Sequence, residues 1–301
     1  MDPAGELTRH RRHLLLVAYR MLGSLQAAED VVQEAYLRAD RAGLGHGDDA
    51  IVEPRAWLTR VVTRLALDEL RSARARRVDY VGQWLPEPIV TPAAEDDPGE
   101  RVAFDEQLSL ALITVLETLS PAERAVYVLH EAFGVPLSEV ADIVGRSAAA
   151  TRQLATRARR HVRAHQPRFD SDPDEQTRLV AAFQAACETG DLDALARLLD
   201  DDVVFRTDGG GVVTAAREPI VGHARVLRAV AAAVRAAPDL LARPATINGQ
   251  PGLVARYQGR AIVFAFVVDG GRITQIDVVA NPAKLARLAV PGAADDSDDE
   301  G

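Results

Sequence analysis

The sequence predicts a multidomain chain in which two all-α parts are followed by an α+β part, and three observations carry that reading. Over residues 1–77, and again over 105–166, apolar residues recur at helical spacing with no strand signal. Between these blocks, residues 78–104 break the periodicity with prolines and end in an acidic run, which marks a linker. Beyond a second short linker, 167–173, helical stretches give way to alternating apolar runs punctuated by glycine, as an α+β domain over 174–290 requires. The end, 291–301, is an acidic tail expected to be disordered and solubilising. A length of 301 residues suits two or three domains of ordinary size.

Composition narrows the class. Apolar residues make up 48 % and charged residues 26 %, enough for packed cores and ordinary for a globular protein. Cys187 is the only cysteine, which excludes an intramolecular disulfide or a CxxC metal site, and its setting "FQAACETGD" reads as a buried helix with a structural thiol. No metal or cofactor is expected. The N-terminal apolar run "LLLVAY" is too short to span a membrane and lacks a small-residue cleavage site, so a cytoplasmic protein without membrane contact is expected.

The net charge of −9 is unevenly spread. Residues 170–301 hold 13 basic against 20 acidic residues, residues 1–90 balance at 13 against 13, and 105–169 hold 8 against 7. Within that last block "GRSAAATRQLATRARRHVRAH" (145–165) carries six arginines and no acid. A locally basic face is thus embedded in an acidic chain. Lys284 is the single lysine among 35 basic residues.

Taken in order, the first helices are marked by Leu14, Leu15, Ala18, Met21 and Leu22, then by Val31, Val32, Ala35 and Tyr36. Asp30, Gln33 and Glu34 lie on or near one face of the second helix, suited to a basic partner or simply to water. The next helix opens with Pro54, is expected to bury Trp57, Leu58, Val61 and Leu65, and leaves Arg55, Arg60, Arg64, Arg71 and Arg74 for phosphates or for local pairing with Asp68 and Glu69. In the linker, Trp84 and Leu85 are apolar, so they are expected to dock against the third domain or the second helical block.

"LSEVADIVGRSAAATRQLATRARRHVR" fits a helix, a tight turn and a second helix. Val140 and Val144 supply a buried face, Gly145 sits where a positive φ is needed, and Ser147 is placed to cap the second helix. Thr151, Leu154, Ala155, Ala158 and Val162 then share one side, with the Thr151 hydroxyl able to bond back to its own helix. Arg152, Gln153, Thr156, Arg157, Arg160 and Arg163 share the other. Arginine and glutamine there reach base edges in a major groove and the later arginines reach phosphates, so Ser147, Arg152, Gln153, Thr156, Arg157 and Arg160 are candidate DNA contacts. A solvated amphipathic helix is the alternative.

The third part is expected to hold a helix (175–188), a strand "VVFRT", a glycine turn, a helix near 220–236, and the runs "LVARYQG" and "RAIVFAFVVDGGRITQIDVVA", the last folded at Asp269, Gly270 and Gly271 into a hairpin. For catalysis the available groups are Asp208, His223, Tyr257 and Asp277, and no spacing joins them into a site.

"AEDVVQEAYLRA" (28–39) followed by "PRAWLTRVVTRLALDELRSARARR" (54–77) resembles region two of extracytoplasmic-function sigma factors, and the helix-turn-helix at 121–163 resembles their region four. The resemblance covers residues 8–166 with the motifs in the family's order, and the missing third sigma domain matches the linker. It implies that the chain binds core RNA polymerase at the beta-prime clamp helices, through Asp30, Gln33 and Glu34, and at the beta flap. It also implies contacts to the minus-ten and minus-thirty-five promoter elements, with a flipped base held by the loop "RAGLGHGDDAIVE" ahead of Pro54. Glu95, Asp96 and Asp97 would mimic nucleic acid in the RNA-exit path, or belong to a plain tether.

"FQAACETGDLDALARLLDDDVVFRTDGGG" resembles the opening of SnoaL-like domains of the NTF2-like superfamily, in which a curved sheet and helices form a cone around a pocket. Three motifs point to the SigJ-like group of sigma factors: "WLPEP" (Trp84, Leu85, Pro86, Glu87, Pro88), "DGGG" (Asp208, Gly209, Gly210, Gly211) and "NPxKL" (Asn281, Pro282, Lys284, Leu285). The group's basic residue after DGGG is replaced by Val212. The resemblance implies a non-enzymatic sigma factor, acting as a monomer, whose fused domain regulates it through these motifs, with a small ligand in the pocket as a bias. Two other readings stand beside it: a ligand-responsive helix-turn-helix repressor, and an NTF2-like cyclase or isomerase fused to a degenerate sigma module.

Overall fold

The computed structural model describes residues 3–42, 53–76, 80–92, 109–165 and 172–288. They fall into two compact units, Met1–Asp79 with Ala111–Gln166, and Tyr80–Leu110 with Pro167–Gly301. The second unit therefore includes residues 80–92 of the segment read from sequence as a linker.

In the first unit α1 (Pro3–Leu22), α2 (Leu25–Arg41) and α3 (Pro54–Arg76) pack together. Ser24 caps α2 by accepting a bond from the Ala27 amide at 3.3 Å, and α2 buries Ala28, Val31, Val32, Ala35 and Ala39. The core face of α3 differs from the expected one. Leu58 is buried, but Trp57, Val61 and Leu65 are half-buried, and the inner face runs through Leu58, Val62, Ala66 and Leu70 with Thr59 and Thr63 beside it. Both threonine hydroxyls donate to carbonyls one turn back, at 2.7 Å, so burying them leaves no donor unmet. The face is rotated because α3 also packs against two of the later helices, Pro121–Val126 and Leu137–Val144.

Those later helices are α4 (Leu110–Glu117), α5 (Pro121–Val126) running on as a π-helix (Tyr127–Ala132), α6 (Leu137–Val144) and α7 (Ala148–His165). The block was expected from residue 105; residues 93–108 lie outside the described set, and helix is seen from Leu110. Arg124 of α5 is 2 % exposed, donates from Nε to the Arg20 carbonyl at 2.8 Å and pairs through Nη1 with Glu117. The Arg20 guanidinium lies 5.0 Å from the Phe133 ring centroid. The two helical blocks are thus joined through a shared polar and apolar core.

The second unit is built on one sheet with strand order β1-β4-β5-β6-β7-β2-β3. Its strands are β1 (Val90–Pro92), β2 (Leu199–Asp208), β3 (Ile220–Val221), β4 (Leu241–Ile247), β5 (Gln250–Tyr257), β6 (Arg260–Asp269) and β7 (Arg272–Val279), all paired antiparallel except β2 with β7. Helices α8 (Pro173–Thr189), α9 (Leu192–Leu198) and α10 (His223–Ala236) bury Val180, Phe183, Leu195, Val226 and Val230 against Leu253, Phe266, Ile273, Ile276 and Val278 on one face. A short α11 (Pro282–Leu285) follows β7. Alternation sends Val254, Val263 and Val279 to the other face, which is covered by Leu85, Leu110 and Leu285.

Three strands escaped the sequence reading: β1, β4 and β3, whose Ile220–Val221 fell inside the helix expected near 220–236, which begins instead at His223. β1 lies in the proline-rich linker and pairs Val90 with Ile247 and Pro92 with Ala245 at the sheet edge, where a strand tolerates proline. β4 carries Pro244, opposite Leu253 of β5 and one residue beyond the reach of β1. The hairpin expected at Asp269 to Gly271 is present, with Gly270 and Gly271 both at positive φ.

Candidate functional site

The three short motifs of the second unit meet at one carboxylate. Asp208, the last residue of β2, is fully buried and accepts four bonds: from the Tyr80 hydroxyl at 2.5 Å, the Gly210 amide at 3.0 Å, the Leu85 amide at 2.9 Å and Lys284 Nζ at 2.6 Å. Lys284 also donates to the Leu85 carbonyl, and its ammonium stands 4.1 Å from the Trp84 ring centroid and 5.6 Å from that of Tyr80. Asn281 caps α11 through its Oδ1, which accepts from the Ala283 amide at 3.0 Å, and its Nδ2 donates to the Tyr80 hydroxyl at 2.9 Å. A buried charge of each sign is thereby paired and fully hydrogen-bonded, which is the condition for burying it at all.

This arrangement fastens the linker. Leu85, Pro86, Glu87 and Pro88 are buried and Trp84 is half-buried. Just beyond them, Ile89 exchanges two bonds with Asn248: its amide donates to Asn248 Oδ1 at 2.9 Å, and the Asn248 amide donates to the Ile89 carbonyl at 2.8 Å. The glycines of DGGG have separate steric reasons. A Cβ on Gly209 would sit 2.1 Å from the Val213 carbonyl oxygen, and one on Gly210, at φ 65°, would meet the Asn281 side chain at 2.5 Å. Val212, which follows the DGGG turn, is 66 % exposed. Tyr80 and Asn248 were missed from sequence, although an aromatic four residues ahead of Trp84 and an Asn-Gly pair between alternating runs are both readable signals.

In the first unit α7 carries the expected two faces. Thr151, Leu154, Ala155, Ala158 and Val162 are buried, while Arg152, Gln153, Thr156, Arg157 and Arg160 are exposed. Gly145 caps α6 at φ 66°, Ser147 Oγ accepts from the Ala150 amide at 3.2 Å, and the Thr151 hydroxyl donates to the Ser147 carbonyl at 3.0 Å. Val144, expected in the buried face of α6, is half-buried, and Ile143 joins Val140 and Ala141 inside instead. Two of the exterior arginines of α7 meet acids: Arg157 Nε reaches Glu123 Oε1 at 3.0 Å, and Arg159 meets Glu131 through two bonds.

The arginines of α3 are differently engaged. Arg60 is exposed, Arg55 donates to His13 Nδ1 at 3.3 Å, Arg64 donates to the Asp142 carbonyl at 3.3 Å, and Arg71 pairs with Asp68 at 3.1 Å. The Arg74 side chain lies outside the described residues, as do residues 43–52 of the loop ahead of Pro54 and Glu95, Asp96 and Asp97. On α2, Asp30 and Gln33 are exposed and Glu34 is half-buried beside Arg38. Asp30 and Glu34 share with Asp68 and Glu69 of α3 the rim of an open cleft of about 430 Å³, floored by Ala27, Val31 and Leu65.

The groups considered for catalysis are dispersed. Asp208 belongs to the clasp, Asp277 takes two bonds from Arg206 at 2.7 and 2.8 Å, His223 Nε2 contacts the Ala196 carbonyl, and the Tyr257 hydroxyl donates to the Ala236 carbonyl. Cys187 is half-buried, and burial together with neighbouring Glu188 pushes its thiol up to about 12, far from a nucleophile's range. Among the described residues no group of three His, Cys, Asp or Glu side chains is placed to hold a metal ion, and no helix is long and apolar enough to cross a membrane.

Comparison with known proteins follows the same division. The profile of Sigma-70 region 2 matches residues 7–76, that of Sigma-70 region 4 matches 109–162, and that of the SnoaL-like domain matches 180–280. The chain is 42 % identical over 293 residues to the ECF RNA polymerase sigma factor SigJ of Mycobacterium tuberculosis, covering 93 % of this chain and 92 % of that one. It is 37 % identical to the probable ECF RNA polymerase sigma factor SigI of the same species, covering 95 % and 96 %. The crystal structure of SigJ superposes with a TM-score of 0.76 at 37 % identity, over 94 % of this chain and 98 % of that one. The two helical modules, the α+β domain behind them and the relatives that share all three in this order establish that the chain belongs to the extracytoplasmic-function RNA polymerase sigma factors with a fused SnoaL-like domain.

Proposed function

We propose that the exposed acidic face of α2 engages a basic helix of the polymerase clamp through Asp30, Gln33 and Glu34, while α3 and α7 contact the minus-ten and minus-thirty-five elements. Charge placement supports the first contact: Asp30 and Glu34 stand on the rim of the cleft between α2 and α3, where two more carboxylates add to the field an approaching cation meets. For α7, the support is an exposed face of Arg152, Gln153, Thr156, Arg157 and Arg160 over a fully packed inner side. For α3, Arg60 is the better phosphate candidate, since Arg55, Arg64 and Arg71 already bond within the unit. Contact with the beta flap, action as a monomer and a cytoplasmic site of action belong to the same reading.

The SnoaL-like domain regulates by holding the linker and not by turnover. The observation that carries this is the Asp208 clasp, which draws Tyr80, Leu85 and Lys284 into one buried network. A linker seated on the sheet by β1 and by this network cannot at the same time follow a different path through a polymerase. A small ligand that favours one state of the clasp would set the equilibrium between them.

Reconstituted transcription tests the reading. The full chain with core polymerase should support transcripts from promoters recovered from a randomised library, Asp30→Arg with Glu34→Arg should abolish polymerase retention, and Asp208→Asn should change transcript yield at equal polymerase retention. No retention of the wild-type chain would overturn the sigma contacts. Unchanged yield in Asp208→Asn would overturn the regulatory role alone. Point variants serve better than truncation near residue 170, because removing the sheet would expose Leu85 and Leu110.

A further inference from the structure

The acid Glu123 of α5 is wired to Arg157, in the middle of the exposed face of α7. Glu123 completes a capping box at the start of α5: its amide donates to Ser120 Oγ at 3.3 Å, and its Oε2 accepts from the Ser120 amide at 3.3 Å and hydroxyl at 2.6 Å. The other carboxylate oxygen, Oε1, accepts from Arg157 Nε at 3.0 Å. Glu123 is largely covered, with 21 % of its side chain exposed against 54 % for Arg157. Burial alone would raise its carboxyl, but hydrogen bonds from Ser120 and Arg157 outweigh it and hold the group below the usual range.

The geometry divides the guanidinium in two. A bond through Nε uses one edge and leaves the Nη1 and Nη2 edge for another acceptor, the edge that takes a guanine O6 and N7 or a phosphate in bidentate fashion. Arg157 stands one turn from both Gln153 and Arg160 on the same face. Arg152, on that face too, has no comparable acid beside it among the described residues. An arginine stem otherwise samples many rotamers, and tethering its Nε removes most of that freedom before DNA arrives.

We propose that Glu123 is a positioning residue for promoter readout: anchored by Ser120, it sets the direction of the Arg157 guanidinium, so that one position of the minus-thirty-five element is discriminated through an acid that touches no base. This rests on the reading that α7 enters the major groove. Without the tether Arg157 remains a cation, free to swing to the nearest phosphate, so specificity falls while general attraction to DNA rises.

The full chain with core polymerase is used to select duplexes from a randomised library, and anisotropy then measures binding of the full chain to a selected and an unrelated duplex over a range of salt. Glu123→Gln is the informative variant, because glutamine still completes a capping box but loses the charge and turns its amide toward Arg157. It should keep the wild-type thermal midpoint, lose about fivefold of the preference at one base pair, and steepen the salt dependence on unrelated DNA by about 0.9. Arg157→Lys should lose preference at that same pair with no steeper slope, and Arg152→Gln should disturb a different pair. If Arg157→Lys changes the preference while Glu123→Gln keeps both preference and slope, Glu123 is a cap and nothing more, and the inference is wrong. If neither arginine variant alters the selected sequence, α7 does not read DNA and the sigma contact proposed above falls with it.

Discussion

Lys284 and Asp208 form an ion pair at 2.6 Å in which the carboxylate is fully buried and the lysine side chain is 12 % exposed. It is notable for the residue chosen. In a chain whose other basic residues are all arginine, the one lysine stands where a compact ammonium must fit between a carboxylate, the Leu85 carbonyl and the Trp84 ring.

Replacing Lys284 therefore separates size from charge. Lys284→Met removes the counter-charge from a buried carboxylate and should cost about 3–5 kcal/mol. Lys284→Arg keeps the charge but brings a planar fork too wide for the site, and should recover less than half of that loss. Denaturant unfolding in a Trp57→Phe background reports the clasp through Trp84 emission, which should shift to the red in both variants. Full recovery by arginine would show that charge alone matters.

Gly210→Ala tests the turn that presents the clasp. The added Cβ at φ 65° would meet Asn281, whose side chain both caps α11 and bonds Tyr80, so strain and displacement act together. A loss of about 1–3 kcal/mol is expected. In an Asn281→Ala background, where the obstructing side chain is gone, the same change should cost about 1 kcal/mol, the backbone part alone. Equal costs in the two backgrounds would remove Asn281 from the explanation.

These contacts mark where sequence reasoning reached and where it stopped. The inner face of α7 was legible because an 18-residue helix repeats its periodicity often enough to fix which side is apolar. The WLPEP, DGGG and NPxKL segments were legible as a set, and the network that joins them was not, since a bond from Tyr80 to Asp208 spans 128 residues. β1 was illegible for a related reason: "VTP" has no pattern of its own and becomes a strand only because β4 offers an edge. On α3, periodicity located an apolar side but not its centre, because Trp57 and Leu65 yield the core to Val62 and Ala66 once α5 and α6 pack against the same helix.

His13 predicts a pH dependence of the first unit. Arg55 can only donate, so Nδ1 is its acceptor and the proton sits on Nε2, facing Thr59 Oγ1 at 3.1 Å, whose own hydroxyl is given to the Arg55 carbonyl. The Phe133 ring closes the site edge-on at 5.0 Å. Burial, with the nearby charges of Arg55 and His10, lowers the imidazole from 6.5 to about 4. The unfolded chain then binds the proton more readily than the folded one, so the stability contributed by neutral His13 is complete above pH 6.5 and is lost as pH falls toward 4. Denaturant midpoints of wild type and His13→Gln, measured across that interval, should converge as the solution is acidified. A pH-independent difference between them would exclude His13 as the cause.

Arg124 joins the two helical blocks of the first unit, and its removal should be judged against its partners. Arg124→Ala removes the guanidinium that bonds both the Arg20 carbonyl and the Glu117 carboxylate, whose side chain is 11 % exposed, so a loss of about 3–5 kcal/mol is expected. Arg124→Met fills the space without supplying charge and should lose nearly as much, because loss of the ion pair with Glu117 outweighs the packing defect. Pairing Arg124→Met with Glu117→Leu removes both charges and should regain most of the stability, as replacement of a whole buried pair by apolar groups does elsewhere. The coupling read from this double-mutant cycle, by denaturant unfolding, should exceed about 1 kcal/mol. Additive losses would mean that Arg124 acts through its aliphatic stem, and the blocks would then be held by the Phe133 contacts with Arg20 and His13 instead.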